Sequence, residues 1–260
     1  VTERQGALWS DTYRVRAHEV DASGKASVPA VCNWLQETAG NHASALGWGV
    51  EGLHRQGLTW VLSRFHLHLE RRPGWRDELA VTTWPAGVQR LFALREFRIS
   101  SGADGELGVA TTAWLLVHSP NLRPVRPPAA VEEIARSAPG RVLDDAFGKL
   151  PELTNAEFEV AADVRYADLD MNHHANNVSL IAATLEPLPQ SIVLERSLTE
   201  LEIEFRSEAL HGDRLLVQAQ GEDGQRWRFL HRLVREGDAR EIARARTAWA
   251  SRADPRPGGS

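Results

Sequence analysis

The chain has 260 residues, 42% hydrophobic and 25% charged, with a formal net charge of −5 and an isoelectric point near 6.1. This is the composition of an ordinary globular protein, long enough for one large or two ordinary domains. The acidic balance argues against a nucleic-acid partner, and the single cysteine, Cys32, excludes an intrachain disulfide and any cysteine-built metal cluster.

No stretch approaches the roughly 20 apolar residues of a membrane span, and the opening VTERQGALWSDT has no secretory pattern. With the lone cysteine these features lead to the expectation of a cytoplasmic protein with no membrane partner.

Taken in chain order, Tyr13–Val20 reads as a strand. Pro29 fits the first turn of a helix, where its missing N–H is not needed. Val31, Leu35, Ala39, Ala43 and Leu46 follow at spacings of three and four and make one apolar stripe, which Gly47 and Gly49 end. Strand-like runs follow at Thr59–Leu69, Glu78–Trp84, Phe92–Ser100 and Gly108–Ser119. Pro120–Pro151, with six of the thirteen prolines, reads as a linker holding a short helix at Ala130–Ser137. The second half repeats the order. A strand at Phe158–Tyr166 leads to a helix over Asn177–Leu185, then strands at Thr199–Phe205, Asp213–Gln220, Arg226–Arg235 and Glu241–Ser251.

The repetition extends to residues. Val15–Glu37 and Val164–Glu186 align without gaps at an offset of 149, with Val15/Val164, Arg16/Arg165, Asp21/Asp170, Ala26/Ala175 and Glu37/Glu186 identical. Arg64–Val81 lies over Glu200–Val217 at an offset of 136, and Thr112–Trp114 over Thr247–Trp249 at 135. Three matches in one order mean duplication. The expected architecture is α+β: two tandem hotdog modules, each a curled antiparallel sheet around a central helix. The divisions are 1–135, a linker over 136–155, 156–251, and a disordered tail over 252–260. Paired modules in one chain would make a monomeric pseudo-dimer, or a homodimer of such chains.

Chemistry concentrates in the second copy. There the aligned polar positions are Asp170, Asn172 and His174; in the first they are Asp21, Ser23 and Lys25. An EF-hand reading of the loop from Asp168 fails at its sixth position, His173, and at its twelfth, Ser179. A transition-metal reading of His173-His174 lacks third and fourth ligands at local spacing. A structural cap on the second helix is the serious rival for His174, and a solvated surface carboxylate is the default for Glu208.

DLDMNHHANN, residues 168–177, resembles the D-L-D-x-N-x-H-x-N-N signature of acyl-[acyl carrier protein] thioesterases. Further blocks agree in order: Asn33–Ala39 with Asn41-His42, Leu58–Val61 followed by Arg64–His66, Arg72–Asp77, and Phe205–Glu208. The resemblance implies a catalytic network of Asp170, Asn172, His174 and Glu208, without metal or organic cofactor. It also implies an acyl-binding first module, a catalytic second module and acyl carrier protein as partner. Hydrolysis of a thioester needs an activated water and a donor for the developing oxyanion. A glutamate carboxylate suits the first role, more effectively where an apolar pocket raises its pKa; Asn172 can orient that water or donate to the carbonyl oxygen, and His174 can share the proton load. Some members carry a cysteine after the glutamate; here it is Ala209, which favours direct attack by water. Acyl-CoA hydrolysis and non-catalytic acyl binding are the alternatives. The C-terminal arginines, Arg228 and Arg232 among them, form a candidate docking patch for an acidic carrier.

Overall fold

The structure, a computed structural model, describes residues 6–119 and 121–252. The first module comprises β1 (Trp9–Arg14), α1 (Val28–Ala45), α2 (Val50–His54), β2 (Leu58–Leu69), β3 (Glu78–Gln89), β4 (Phe92–Ser101), β5 (Gly105–His118) and the two-residue β6 (Pro124–Val125). α3 (Ala129–Ala135) begins the connection. The second module comprises β7 (Phe158–Asp163), α4 (Asn177–Leu185), α5 (Gln190–Val193), β8 (Arg196–Phe205), β9 (Arg214–Gly221), β10 (Arg228–Arg235) and β11 (Arg240–Ser251).

The sequence reading placed the long helices and strands closely. It ran the first strand of each module too far. β1 and β7 stop early, and Ala17–Glu19 and Tyr166–Asp168 are 3₁₀ turns. The Glu19 and Asp168 carboxylates accept the N–H groups of Arg16 and Arg165, at 2.7 and 2.8 Å, and so close these turns. Short α2 and α5 carry too little periodicity to be read from sequence.

The strands form one antiparallel sheet in the order β1-β3-β4-β5-β2-β8-β11-β10-β9-β7, with β6 on β5. Ser27 caps α1, its hydroxyl accepting from the Ala30 N–H at 3.2 Å, and Val31, Leu35 and Ala39 are buried under the sheet. α4 is half as long, with Val178, Leu180 and Ile181 buried. This is the hotdog architecture, twice.

The modules join where β2 pairs with β8, Arg64 opposite Glu204, His66 opposite Glu202 and His68 opposite Glu200. The 136-residue repeat maps Arg64 onto Glu200 and His66 onto Glu202. The seam is therefore isologous, with the His66–Glu202 pair on the pseudo-dyad. Opposite charges set its register, and Arg64 and Glu204 form a 2.8 Å ion pair.

The linker is a strap packed on the outer sheet face. Val131, Leu150 and Leu153 are buried; the Trp84 indole donates to the Gly140 carbonyl at 2.7 Å; and Arg244 donates to the Leu150 carbonyl at 3.1 Å. Buried Glu96 accepts from Thr111, Arg141 and the Val142 N–H at 2.6, 3.1 and 3.1 Å. The disordered tail expected over 252–260 lies outside the described residues except for Arg252. The Arg252 guanidinium donates to the Arg196 and Val193 carbonyls at 3.4 and 3.5 Å.

Candidate active site

Asp170 organises the loop between the 3₁₀ turn and α4. Its N–H donates to the His174 carbonyl at 2.8 Å, while its Oδ1 accepts the N–H groups of Asn172 and His174 at 2.8 and 3.3 Å. The Asn172 amide donates to Oδ2 at 3.4 Å. His173 closes the turn at φ 63°, in the left-handed region. Asn176 then caps α4, accepting the Val178 N–H at 2.9 Å.

Glu208 arrives from the other side of the fold. After β8 the N–H groups of Arg206 and Ser207 both donate to the Ile242 carbonyl, and Ala175 N–H donates to the Ala209 carbonyl at 2.8 Å. A bridge between His174 and Leu210 completes the clasp. Across it His174 Nε2 stands 3.2 Å from Glu208 Oε2. The structure thus brings together His174 with Glu208 and Asp170 with Asn172, the pairs being joined through the His174 backbone. Asp170 holds the loop rather than the imidazole.

Two features of the site bear on the sequence reading. Glu208 lies in no apolar pocket: its side chain is 44% exposed and that of His174 38%. Most of the basic C-terminal region is engaged within the fold: Arg228 pairs with Glu200, Arg232 with the neutral Gln218, Arg235 with Asp213 and Asp238, Arg244 with Glu241, and Arg246 with Glu202. The exposed guanidinium groups of Arg226 and Arg240 have no carboxylate partner among the described residues. Ala209, in the place of the family's cysteine, is buried, and so is Cys32. Burial pushes the Cys32 thiol pKa up, away from thiolate chemistry.

The first module keeps the loop without the histidine–glutamate pair. Asp21 Oδ1 accepts the Ser23 N–H at 2.8 Å, and Ala26 N–H donates to the Pro73 carbonyl at 2.8 Å, as Ala175 does to Ala209. Gly24, at φ 71°, occupies the position of His173. Arg72 stands at the place of Glu208 and is bonded to Asp21.

Sequence reasoning missed a groove of about 690 Å³ between β1, α1 and the α4 cap. Arg14 and Arg16 line it together with Tyr13, Asn33, Gln36 and Asn176. The Gln36 amide donates to Asn176 Oδ1 at 3.3 Å, joining the central helices of the two modules. Gln36 and Asn176 both belong to quoted motif blocks, but their separation of 140 positions hides the contact. Among the described residues, no group of three or more His, Cys, Asp or Glu could hold a metal, and no helix is long and apolar enough to cross a membrane.

The family model described as the acyl-ACP thioesterase N-terminal domain matches residues 6–134, and that for the C-terminal domain matches residues 152–251. The chain is 29% identical to an oleoyl-acyl carrier protein thioesterase of Arabidopsis thaliana, over 94% of this chain and 76% of that protein. It is 30% identical to a palmitoyl-acyl carrier protein thioesterase of Cuphea hookeriana, over 95% of this chain and 63% of that protein. Among solved structures, the 12:0-ACP thioesterase of Umbellularia californica superposes with a TM-score of 0.83 at 26% identity, covering 96% of this chain and 100% of that one. An acyl-ACP thioesterase of Bacteroides thetaiotaomicron gives 0.84 at 22% identity, covering 94% and 98%. The plant relatives are chloroplastic, which overturns the expectation of a cytoplasmic location.

Proposed function

This chain belongs to the acyl-ACP thioesterase family, and from that premise we propose how its own residues carry out the hydrolysis. It is a thioester hydrolase of fatty acid biosynthesis that releases free fatty acid from acyl-[acyl carrier protein]. The observation that carries the mechanism is the His174–Glu208 pair, 3.2 Å apart at the head of α4.

Glu208 takes a proton from a water that attacks the thioester carbonyl carbon. The new C–O bond gives a tetrahedral intermediate whose oxyanion receives a hydrogen bond from the Asn172 amide. On collapse the C–S bond breaks, and the proton taken by Glu208 passes through His174 to the departing sulfur. Asp170 keeps Asn172 and His174 in one loop by holding both of their backbone N–H groups. Docking of the acyl thioester covers the exposed pair and supplies the apolar surroundings that the free protein lacks.

The second module, 156–251, carries this chemistry, and the first, 1–135, holds the acyl chain. The 18-residue α1 and the 14-residue β5, against 9 residues in α4 and 12 in β11, support that division by giving the first module the longer helix and strand for an acyl chain to lie along. One chain contains the whole catalytic unit.

Thiol release from matched acyl-carrier and acyl-CoA substrates, with wild type and Glu208→Ala, tests this reading. Hydrolysis of the carrier substrate that drops by ~10²–10⁴ in the variant is expected. Equal rates in the two proteins remove Glu208 from the mechanism, and a preference for acyl-CoA reassigns the substrate.

A further inference from the structure

The first module's copy of the catalytic loop has changed sign. By the repeat, Lys25 replaces His174, Arg72 replaces Glu208, Arg14 replaces Asp163 and Arg76 replaces Gly212. Arg72 is spent on Asp21. Arg14, Arg16, Lys25 and Arg76 are exposed and, among the described residues, have no carboxylate within ion-pair distance. In the second module the matching positions are neutralised, Arg165 by Asp168 at 2.9 Å and Asp163 by Arg214 at 3.3 Å.

The four cations share one face. Arg76 N–H donates to the Val15 carbonyl at 3.0 Å, which sets Arg76 against the chain between Arg14 and Arg16. Lys25 bridges to Gly74, and Trp75 N–H donates to the Gly24 carbonyl at 3.2 Å. The Arg76 guanidinium lies 4.2 Å from the centroid of the exposed Trp75 ring. Arg76 sits at φ 71° where the other module has Gly212 at φ 85°, so a guanidinium is kept at a backbone position that favours glycine. Nearby acids are engaged elsewhere: Glu19 with the Arg16 N–H and the Trp34 indole, and Asp77 with the Gly74 N–H. Glu78, opposite Arg14 across β1 and β3, and Glu37 in the groove remain.

The groove starts at this face. Arg14, Arg16 and Glu19 line it with Asn33, Gln36 and, from the other module, Asn176, two residues beyond His174. We propose that the vacated first-module loop is the docking face for the acidic acyl carrier protein. Arg14 and Arg16 receive the phosphodiester of its phosphopantetheine arm, and Asn33, Gln36 and Asn176 receive the arm's amides on the way to His174 and Glu208. The inference rests on the acyl-carrier reading above. It also explains how a chain of net charge −5, with most of its C-terminal arginines engaged internally, attracts an acidic protein.

The test compares three double variants: Arg14→Glu with Arg16→Glu, Lys25→Glu with Arg76→Glu, and, for the same charge change elsewhere, Arg123→Glu with Arg136→Glu. Each is assayed on an acyl-carrier thioester and on the N-acetylcysteamine thioester of the same acyl chain, which lacks protein and phosphate. The two docking variants are expected to raise KM for the carrier substrate about tenfold or more and to flatten its salt dependence. Their loss on the small thioester is expected to be much smaller, and the third variant to resemble wild type. Docking variants that match the third variant, or that lose activity equally on both substrates, overturn the docking face while leaving the enzyme reading intact. A wild type inactive on the carrier substrate overturns both.

Discussion

The Arg72 guanidinium is bonded to the Asp21 carboxylate, so the first module's counterparts of Glu208 and Asp170 form an ion pair. Burial raises the Asp21 pKa, but hydrogen bonds from Ser23 and Arg72 outweigh it and hold the carboxyl below its ordinary value. The positions that hold Glu208 and Asp170 in the second module serve here as a clamp. Arg72→Met leaves Asp21 half-buried and unpaired, with an expected cost of about 1–3 kcal/mol in chemical denaturation. The kcat on an N-acetylcysteamine thioester is expected to stay at the wild-type value. A fall in kcat with unchanged stability would place the pair in the chemistry.

His173 and His174 separate by role. His173 is exposed and supplies a left-handed turn, at φ 63°, whereas His174 faces Glu208. His173→Gly is expected to keep activity, with stability shifted by no more than about 1 kcal/mol, because glycine accepts this φ without strain. His173→Val is expected to be less stable than wild type, since a β-branched residue there is an outlier. His174→Ala is expected to lose ~10²-fold or more in kcat while its thermal midpoint stays close to wild type. Equal activity of His173→Gly and His174→Ala would reject the assignment.

His66 ties three parts of the chain, its Nδ1 lying 2.8 Å from Asp145 of the strap and its Nε2 3.1 Å from Glu200 of β8. Burial alone would lower its pKa, but the two carboxylates prevail and raise it to about 9. The hydrogen bond from His66, with Arg228 beside it, lowers Glu200 to about 2. The histidine's contribution is complete below pH 6.5 and is lost as pH rises through about 9; that of Glu200 is present above pH 4.5 and is lost as pH falls through about 2. The denaturation midpoint of wild type is therefore expected to fall between pH 8 and 10 relative to His66→Gln. Parallel curves for the two proteins would rule out the charged staple.

Two other histidines act with the opposite sign. His231 is fully buried against Thr247, and burial lowers its pKa to about 3. His42, buried in α1 and facing Arg95 at 3.1 Å, is lowered by burial and that guanidinium to about 4. Below pH 6.5 the unfolded chain binds protons that the folded chain refuses, so stability is lost progressively from pH 6.5 down. Urea titrations of wild type and His231→Leu between pH 7 and 5 check this. The variant is expected to show the shallower decline, and an identical slope would show that His231 does not contribute.

Much of the fold was legible because duplication wrote it twice. The stripe Val31, Leu35, Ala39 and the alternation along β2 are local periodicities, and Thr112 and Thr247 mark the same place: each accepts the indole N–H two residues on, at 2.9 and 3.0 Å. The two 3₁₀ turns were missed because Glu19 and Asp168 close them through side-chain contacts that strand propensity does not register. The linker was read as a spacer because prolines signal turns, whereas burial of Val131, Leu150 and Leu153 depends on a sheet face assembled from distant strands.

The sequence by itself determined the duplication, the α+β class, the Asp170–His174 loop and the candidacy of Glu208, all carried by short-range pattern or by resemblance along the chain. Tertiary structure alone decided that Glu208 meets His174, that Arg72 cancels Asp21, that Arg228 pairs with Glu200, and that Gln36 reaches Asn176 across the seam. Those outcomes depend on which strands lie side by side and in what register. Register is set by cross-strand packing and charge over separations of tens to more than a hundred residues, which no local spacing encodes.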